Sequence, residues 1–195
     1  MKSARSGFLP LLMLLLAGCS NDATTSAQFA ASQTPAAPGL VQLAQRTVSG
    51  SQVQVDVVIR GPEPGLDLSA FRFAIRISDP TSVRFLPQSS YQQSALVAAA
   101  GQTIAMDVDN SDPTLVKVEV EKVGGGPGNG VASPSAVVIG LTFEVLGTGG
   151  STLSFTGLGG SPAQALDSNG GLIDGVLFDL GSASLGGVRT GGGGY

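Results

Sequence analysis

Apolar residues at every second position constrain the fold of this chain more than any other feature. In Gln52-Val53-Gln54-Val55-Asp56-Val57-Val58-Ile59, the residues Val53, Val55, Val57 and Ile59 fall on one face. That is the spacing of a strand with one buried side, because successive side chains of an extended chain point to opposite faces. Leu68 to Ser78 repeats it, with Phe71, Phe73, Ile75 and Ile77 inward and Arg72 and Arg76 outward. Asp79-Pro80 then stops the run, since proline cannot donate to a ladder. Val83 and Phe85 follow on a short strand, and Val116, Val118 and Val120 alternate with Lys117, Glu119 and Glu121. Val137, Ile139, Leu141, Phe143 and Val145 make a long buried face, with Thr142 and Glu144 turned to water. Shorter candidates are Val41–Val48, Thr103–Val108, Thr152–Phe155 and Val176–Ala183.

Clusters of Gly, Pro, Asn, Asp and Ser separate these runs, notably at 61–65, 124–130 and 167–171, as turns require. Gln92–Ala100 fits either a helical turn or a strand. Glycine is very frequent and lysine scarce, valine, threonine and serine abound, and the Ala/Leu/Glu/Lys mixture of helices is missing. About nine short strands with alternating faces predict an all-β jelly-roll sandwich. No internal repeat and no second domain stand out.

The termini read differently. Lys2 and Arg5 precede an apolar stretch from Phe8 to Leu16, which ends in Leu16-Ala17-Gly18-Cys19. This is the layout of a secretory leader, too short to cross a bilayer as a helix. Leu-Ala-Gly-Cys resembles the lipobox of bacterial lipoproteins. The resemblance implies cleavage before Cys19 and a diacylglyceryl thioether on its sulfur, hence a membrane anchor at the cell envelope. Ser20 follows where Asp would favour inner-membrane retention, so the expected site is the outer membrane if the organism has one. The domain reading is therefore a leader over 1–18, a disordered tether over 19–38, a β-sandwich over 39–187 and a Gly-rich tail over 188–195. About 20 residues of Ser/Thr/Ala/Pro coil would give the tether a reach of about 25 Å.

Composition narrows the chemistry. The formal net charge is −4, and loss of Lys2 and Arg5 with the leader takes it to −6. A chain with this balance and no basic run has no electrostatic reason to bind nucleic acid. Cys19 is the only cysteine, and histidine and tryptophan are absent. That removes histidine-based triads, histidine or thiolate metal sites, disulfides and tryptophan platforms for sugars.

The remaining candidates each have a plainer reading. Asp107-Val108-Asp109-Asn110-Ser111-Asp112 offers three carboxylates, but a calcium loop needs glycine at the sixth position and glutamate at the twelfth. Asp112 and Val118 stand there, so an Asx-rich turn is expected. Asp167, Asn169 and Asp174 suit a turn at Asn169-Gly170-Gly171. The glycines of 124–130 carry no Lys and open no helix, as a phosphate loop must. Paired carboxylates for glycoside hydrolysis would need a sugar cleft, and the only tyrosines are Tyr91 and Tyr195. No catalytic residue, metal site or cofactor is expected. Arg72 and Arg76 share an outer face and suit either a stripe for a partner's carboxylates or simple solvation.

Several segments together resemble the cohesin domain family. Gly50-Ser51-Gln52-Val53-Gln54-Val55 resembles its "G-D-x-V-x-V" opening strand. Leu68-Ser69-Ala70-Phe71-Arg72-Phe73-Ala74-Ile75, followed by Asp79-Pro80-Thr81-Ser82-Val83, resembles the second strand and its Asp-Pro ending. Ile139-Gly140-Leu141-Thr142-Phe143-Glu144-Val145 resembles the "L-T-F-x-V" strand, and Asp167-Ser168-Asn169-Gly170-Gly171 the polar turn before the closing strand. The resemblance spans about 45–184, although Ser78 stands where many cohesins carry an aromatic and 86–113 matches nothing. It implies a nine-stranded jelly roll shared with bacterial carbohydrate-binding modules. It also implies a non-catalytic module whose partner is a dockerin-like protein, with polysaccharide binding or a structural envelope role as alternatives. The binding face is not specified by the sequence.

Overall fold

The computed structural model describes residues 24–62, 65–124, 126 and 135–190. The leader, Cys19 and most of the 124–130 glycine run lie outside the described residues. No helix occurs among those described; the fold is all-β, in two sheets.

The seven-stranded sheet runs β1(Thr24–Ala30), β12(Ala183–Thr190), β9(Gly150–Thr156), β4(Ala70–Ile77), β7(Leu115–Val123), β6(Thr103–Asp109), with β10(Gln164–Leu166) also paired to β4. The five-stranded sheet runs β11(Leu177–Phe178), β2(Leu40–Ser49), β3(Gln52–Arg60), β8(Ser135–Val145), β5(Val83–Leu86). Every pairing is antiparallel except β11 with β2. The inward faces read from the sequence fill the space between the sheets: Val53, Val55, Val57, Ile59, Phe71, Phe73, Ile75, Val116, Val118, Val120 and Phe143 are fully buried. Phe73, Phe155 and Phe178 pack ring on ring at centroid distances of 5.3–5.6 Å, arrangements that add to area burial.

In β8 the structure departs from the alternation. Between the pairs Val57↔Ile139 and Val58↔Val137, β8 spends one extra residue, Val138. A bulge of this kind turns two consecutive side chains toward one face. Val138 and Ala136 are therefore buried, and Val137 is only half-buried. Thr142 is also not turned to open water; it is 9% exposed.

The larger corrections concern the ends. The segment over 19–38, expected to be a disordered tether, contains β1, which pairs with β12 over seven positions from Thr24↔Thr190 to Ala30↔Ser184. After it, residues 31–38 run to β2 and are fastened at Asp179. The expected strand Val176–Ala183 divides into β11 and the start of β12. The tail expected from 188 continues β12 as far as Thr190.

Glycine explains the misreading of β12. A Cβ on Gly187 would lie 1.9 Å from the Gly147 carbonyl oxygen and 2.7 Å from the Thr25 methyl, so glycine permits a close backbone approach here. Gln92–Ala100 is neither helix nor strand in the main. Its Ser94 and Ala95 amides donate to the Val137 carbonyl, at 2.7 and 2.9 Å, and Ala95 and Leu96 are buried.

Candidate functional site

The two outer faces of the sandwich differ in what covers them. On β2, β3 and β8 the outward residues are polar, and Gln42, Arg46 and Asp56 are wholly or partly covered while Gln52 and Gln54 are exposed. Arg46, the extra residue at a shift in the β2 register, grips Asp56 with two bonds of 2.9 and 2.8 Å and donates to the Gln92 side chain. Gly140 makes room beneath: a Cβ there would stand 3.2 Å from the Asp56 carboxylate and 3.4 Å from the guanidinium. Gln88 and Gln92 bridge to the Gly140 backbone, so 88–95 lies across β8. The polar hollow that remains measures about 160 Å³.

The far part of the same sheet is closed by Asp179, which is 3% exposed. It accepts from the Ser32 hydroxyl, from Thr34 Oγ1 at 2.6 Å, from the Gly181 amide at 2.8 Å and from Gln42 Nε2 at 3.4 Å. Burial opposes ionisation of this carboxyl. The hydroxyls of Ser32 and Thr34 lead the hydrogen bonds that outweigh it and hold its pKa below the ordinary value, as donors to a charged form do.

The outer face of β4, β7 and β6 is open. Arg72, Glu119, Glu121, Lys117 and Asp109 have side chains 38–44% exposed, against 14% for Asp56, 21% for Glu144 and 26% for Arg46 on the opposite face, where Arg84 on the edge strand β5 is 58% exposed. Arg72 lies 3.6 Å from Glu119 and 3.4 Å from Glu121, and Lys117 lies 2.9 Å from Asp109. Arg76, on the same face of β4, is exposed and has no ion pair among the described residues. Asp107 stands directly opposite Glu119, a like-charge pairing that costs stability in a sheet. The flat face thus presents a guanidinium with no direct ion pair, its charge felt by Asp112, beside a field of carboxylates.

The other sequence candidates resolve into turns. Asp109 Oδ1 accepts from the Ser111 amide at 2.8 Å, and Lys117 binds its other oxygen; the Lys117 contact first, then Ser111, lowers its pKa to about 2. Asp112 Oδ1 accepts from the Thr114 amide at 2.8 Å and hydroxyl at 2.7 Å. Asp79 makes the same turn with Thr81, at 2.9 and 2.6 Å. Ser-Asp-Pro-Thr indeed occurs twice, at 78–81 and 111–114, a repeat that reading for long periods overlooks. Asp167 Oδ1 accepts from the Asn169 and Gly171 amides, with Gly170 at φ +79°; Asp174 joins no cluster. Among the described residues no group of three or more acidic side chains is placed to hold a metal ion. Tyr91 packs against the core and its hydroxyl accepts from the Gln88 amide, so its ring is not a free platform. A hollow of about 460 Å³ beside β1, β12 and β9 is lined by no titratable side chain.

No protein-family profile matches the chain, and no curated protein does. Solved structures do. The second type II cohesin module of the adaptor ScaA scaffoldin from Acetivibrio cellulolyticus matches with a TM-score of 0.51 and 12% identity, over 82% of this chain and 88% of that one. A type II cohesin domain from the cellulosome of the same organism matches at 0.47 and 15%, over 86% and 96%. The type I cohesin–dockerin complex of Clostridium thermocellum contains a match at 0.43 and 14%, over 84% and 98%. At these identities the likeness is one of fold: the chain folds as a cohesin-like jelly-roll sandwich.

Proposed function

We propose that this protein is a non-catalytic binding module, held at the cell envelope by lipid on Cys19, that docks a protein partner on the outer face of β4, β7 and β6. The observation that carries the reading is the contrast between faces. One sheet is partly covered by 31–38 and 88–95, with Gln52, Gln54 and the Arg84–Glu144 pair outside that cover, while the other carries a row of charged side chains with no covering segment. A partner with complementary charges meets there an unpaired Arg76 and an array that sets orientation and register. The partner class follows from the motif resemblance: a dockerin-like module. Lipid anchoring rests on the Leu16-Ala17-Gly18-Cys19 motif, and outer-membrane placement on Ser20. Polysaccharide binding finds little support, because no aromatic side chain is exposed among the described residues and sugar rings are gripped by stacking.

The test is capture from native envelope and secreted fractions on immobilised protein, with and without calcium chelation. A discrete protein that chelation releases is the expected result, because the metal would order the partner's loops. Retardation on cellulose, xylan or peptidoglycan with no protein captured would replace it with the polysaccharide reading.

A further inference from the structure

The ends of the sandwich are not equivalent with respect to Cys19. β1 begins at Thr24, so only five peptide steps separate it from the cysteine, a span of at most about 18 Å. The strand directions place one set of loops at this end. They are the β2–β3 hairpin around Gly50, the 78–83 and 110–114 turns, and the 146–149 loop. The Ala27 amide donates to the Gly50 carbonyl at 2.8 Å, and Gly187 to Gly149 at 3.2 Å, which fixes β1 against these loops. Three of the exposed large apolar residues occur here: Val48 at 37%, Leu146 at 45% and Val188 at 44%. Charge at this end has no positive excess. The Asp109–Lys117 and Glu144–Arg84 pairs close on themselves, and Asp22, Asp79 and Asp112 outnumber Arg76 and Arg189 by one.

We infer that this end is a lipid-facing surface: the short leash presses Val48, Leu146 and Val188 against the neutral headgroup region of the bilayer. The inference rests on the anchoring at Cys19 proposed above. It replaces a freely tumbling domain by an oriented one. The strands stand away from the membrane, the charged face of β4, β7 and β6 stands upright, and the opposite loops lie about 30 Å further out, at ~3.3 Å per residue. Apolar burial supplies the attraction, because an end with no positive excess gives an anionic surface no hold.

The chain is suited to a direct test, since it has no tryptophan and one cysteine. The full mature chain is coupled through the Cys19 thiol to a maleimide phospholipid in phosphatidylcholine vesicles with brominated acyl chains. Leu146→Trp reports the near end, and Leu172→Trp, 62% exposed at the opposite end, is the control. The Leu146→Trp emission should shift to the blue and lose about half its intensity, whereas Leu172→Trp stays unchanged. Inserting about 20 Gly/Ser residues after Asn21 should abolish most of the quenching by lengthening the leash. Equal quenching at both positions, or none at Leu146→Trp in a variant with an unchanged circular dichroism spectrum, overturns the inference. Whether the native cysteine carries lipid is read separately from the mass of the protein extracted from its own membrane. An unmodified Cys19 there would refute the anchoring while leaving the vesicle result to stand alone.

Discussion

Asp179 and Thr34 are 145 positions apart and joined by a hydrogen bond of 2.6 Å. With Ser32, Gln42 and Gly181 on the same carboxylate, this contact fastens the connection between β1 and β2 to the end of β11. Removing the acceptor leaves several donors without a partner, so Asp179→Ala should cost about 1–3 kcal/mol. Chemical denaturation of the variant measures this. A cost within the ±0.5 kcal/mol typical of surface changes would mean that 31–38 is only loosely attached.

The bulge makes a second prediction, at two neighbouring valines. Val138→Ala removes a fully buried side chain and should destabilise by about 2 kcal/mol through lost burial and the cavity left behind. Val137→Ala, at a half-buried position, should cost less than about 1 kcal/mol. The uninterrupted alternation of the sequence demands the opposite order, so a pair of unfolding curves separates the two registers.

Stability should be flat between pH 5 and 8 and fall below pH 4. No histidine exists to titrate in the neutral range. Asp79, through Ser82 and then Thr81, and Asp109, through Lys117 and then Ser111, are both lowered to about 2 from the usual 3.8. A folded pKa below the unfolded one stabilises the fold above the unfolded value, and that contribution is lost as pH falls through the folded one. Thermal midpoints should therefore drop between about pH 4 and pH 2. A drop centred near pH 6 would contradict this assignment.

The sequence exposed the strands of the core well and the margins poorly. Val53 to Ile59 and Phe71 to Ile77 declare themselves because one side of each is wholly apolar. β1 does not, since an edge strand built of Thr24-Thr25-Ser26-Ala27-Gln28-Phe29-Ala30 buries little beyond Ala27 and Phe29; its ladder with β12 is held by backbone groups, which carry no sequence signature. The end of β12 reads as a loose tail because it follows Gly186 and Gly187, which fit a crowded strand for want of a side chain. The Val138 bulge depends on the partner strand, which alternation does not register. Arg72 and Arg76 look alike in sequence, and only the register of β7 shows that Glu119 and Glu121 both engage Arg72.

That difference between the arginines supplies the most direct measurement of the central claim, that the open face of β4, β7 and β6 is the docking surface. The captured partner should be titrated against Arg76→Glu and, on the opposite sheet, against Gln54→Glu, an exposed position whose charge changes in the same direction by one unit instead of two. Arg76→Glu should weaken binding about tenfold or more with the thermal midpoint unchanged, because a rim charge acts through complementarity. Gln54→Glu should bind as the parent does. Loss of affinity at Gln54→Glu with Arg76→Glu unaffected would contradict the account and move the interface to the other sheet.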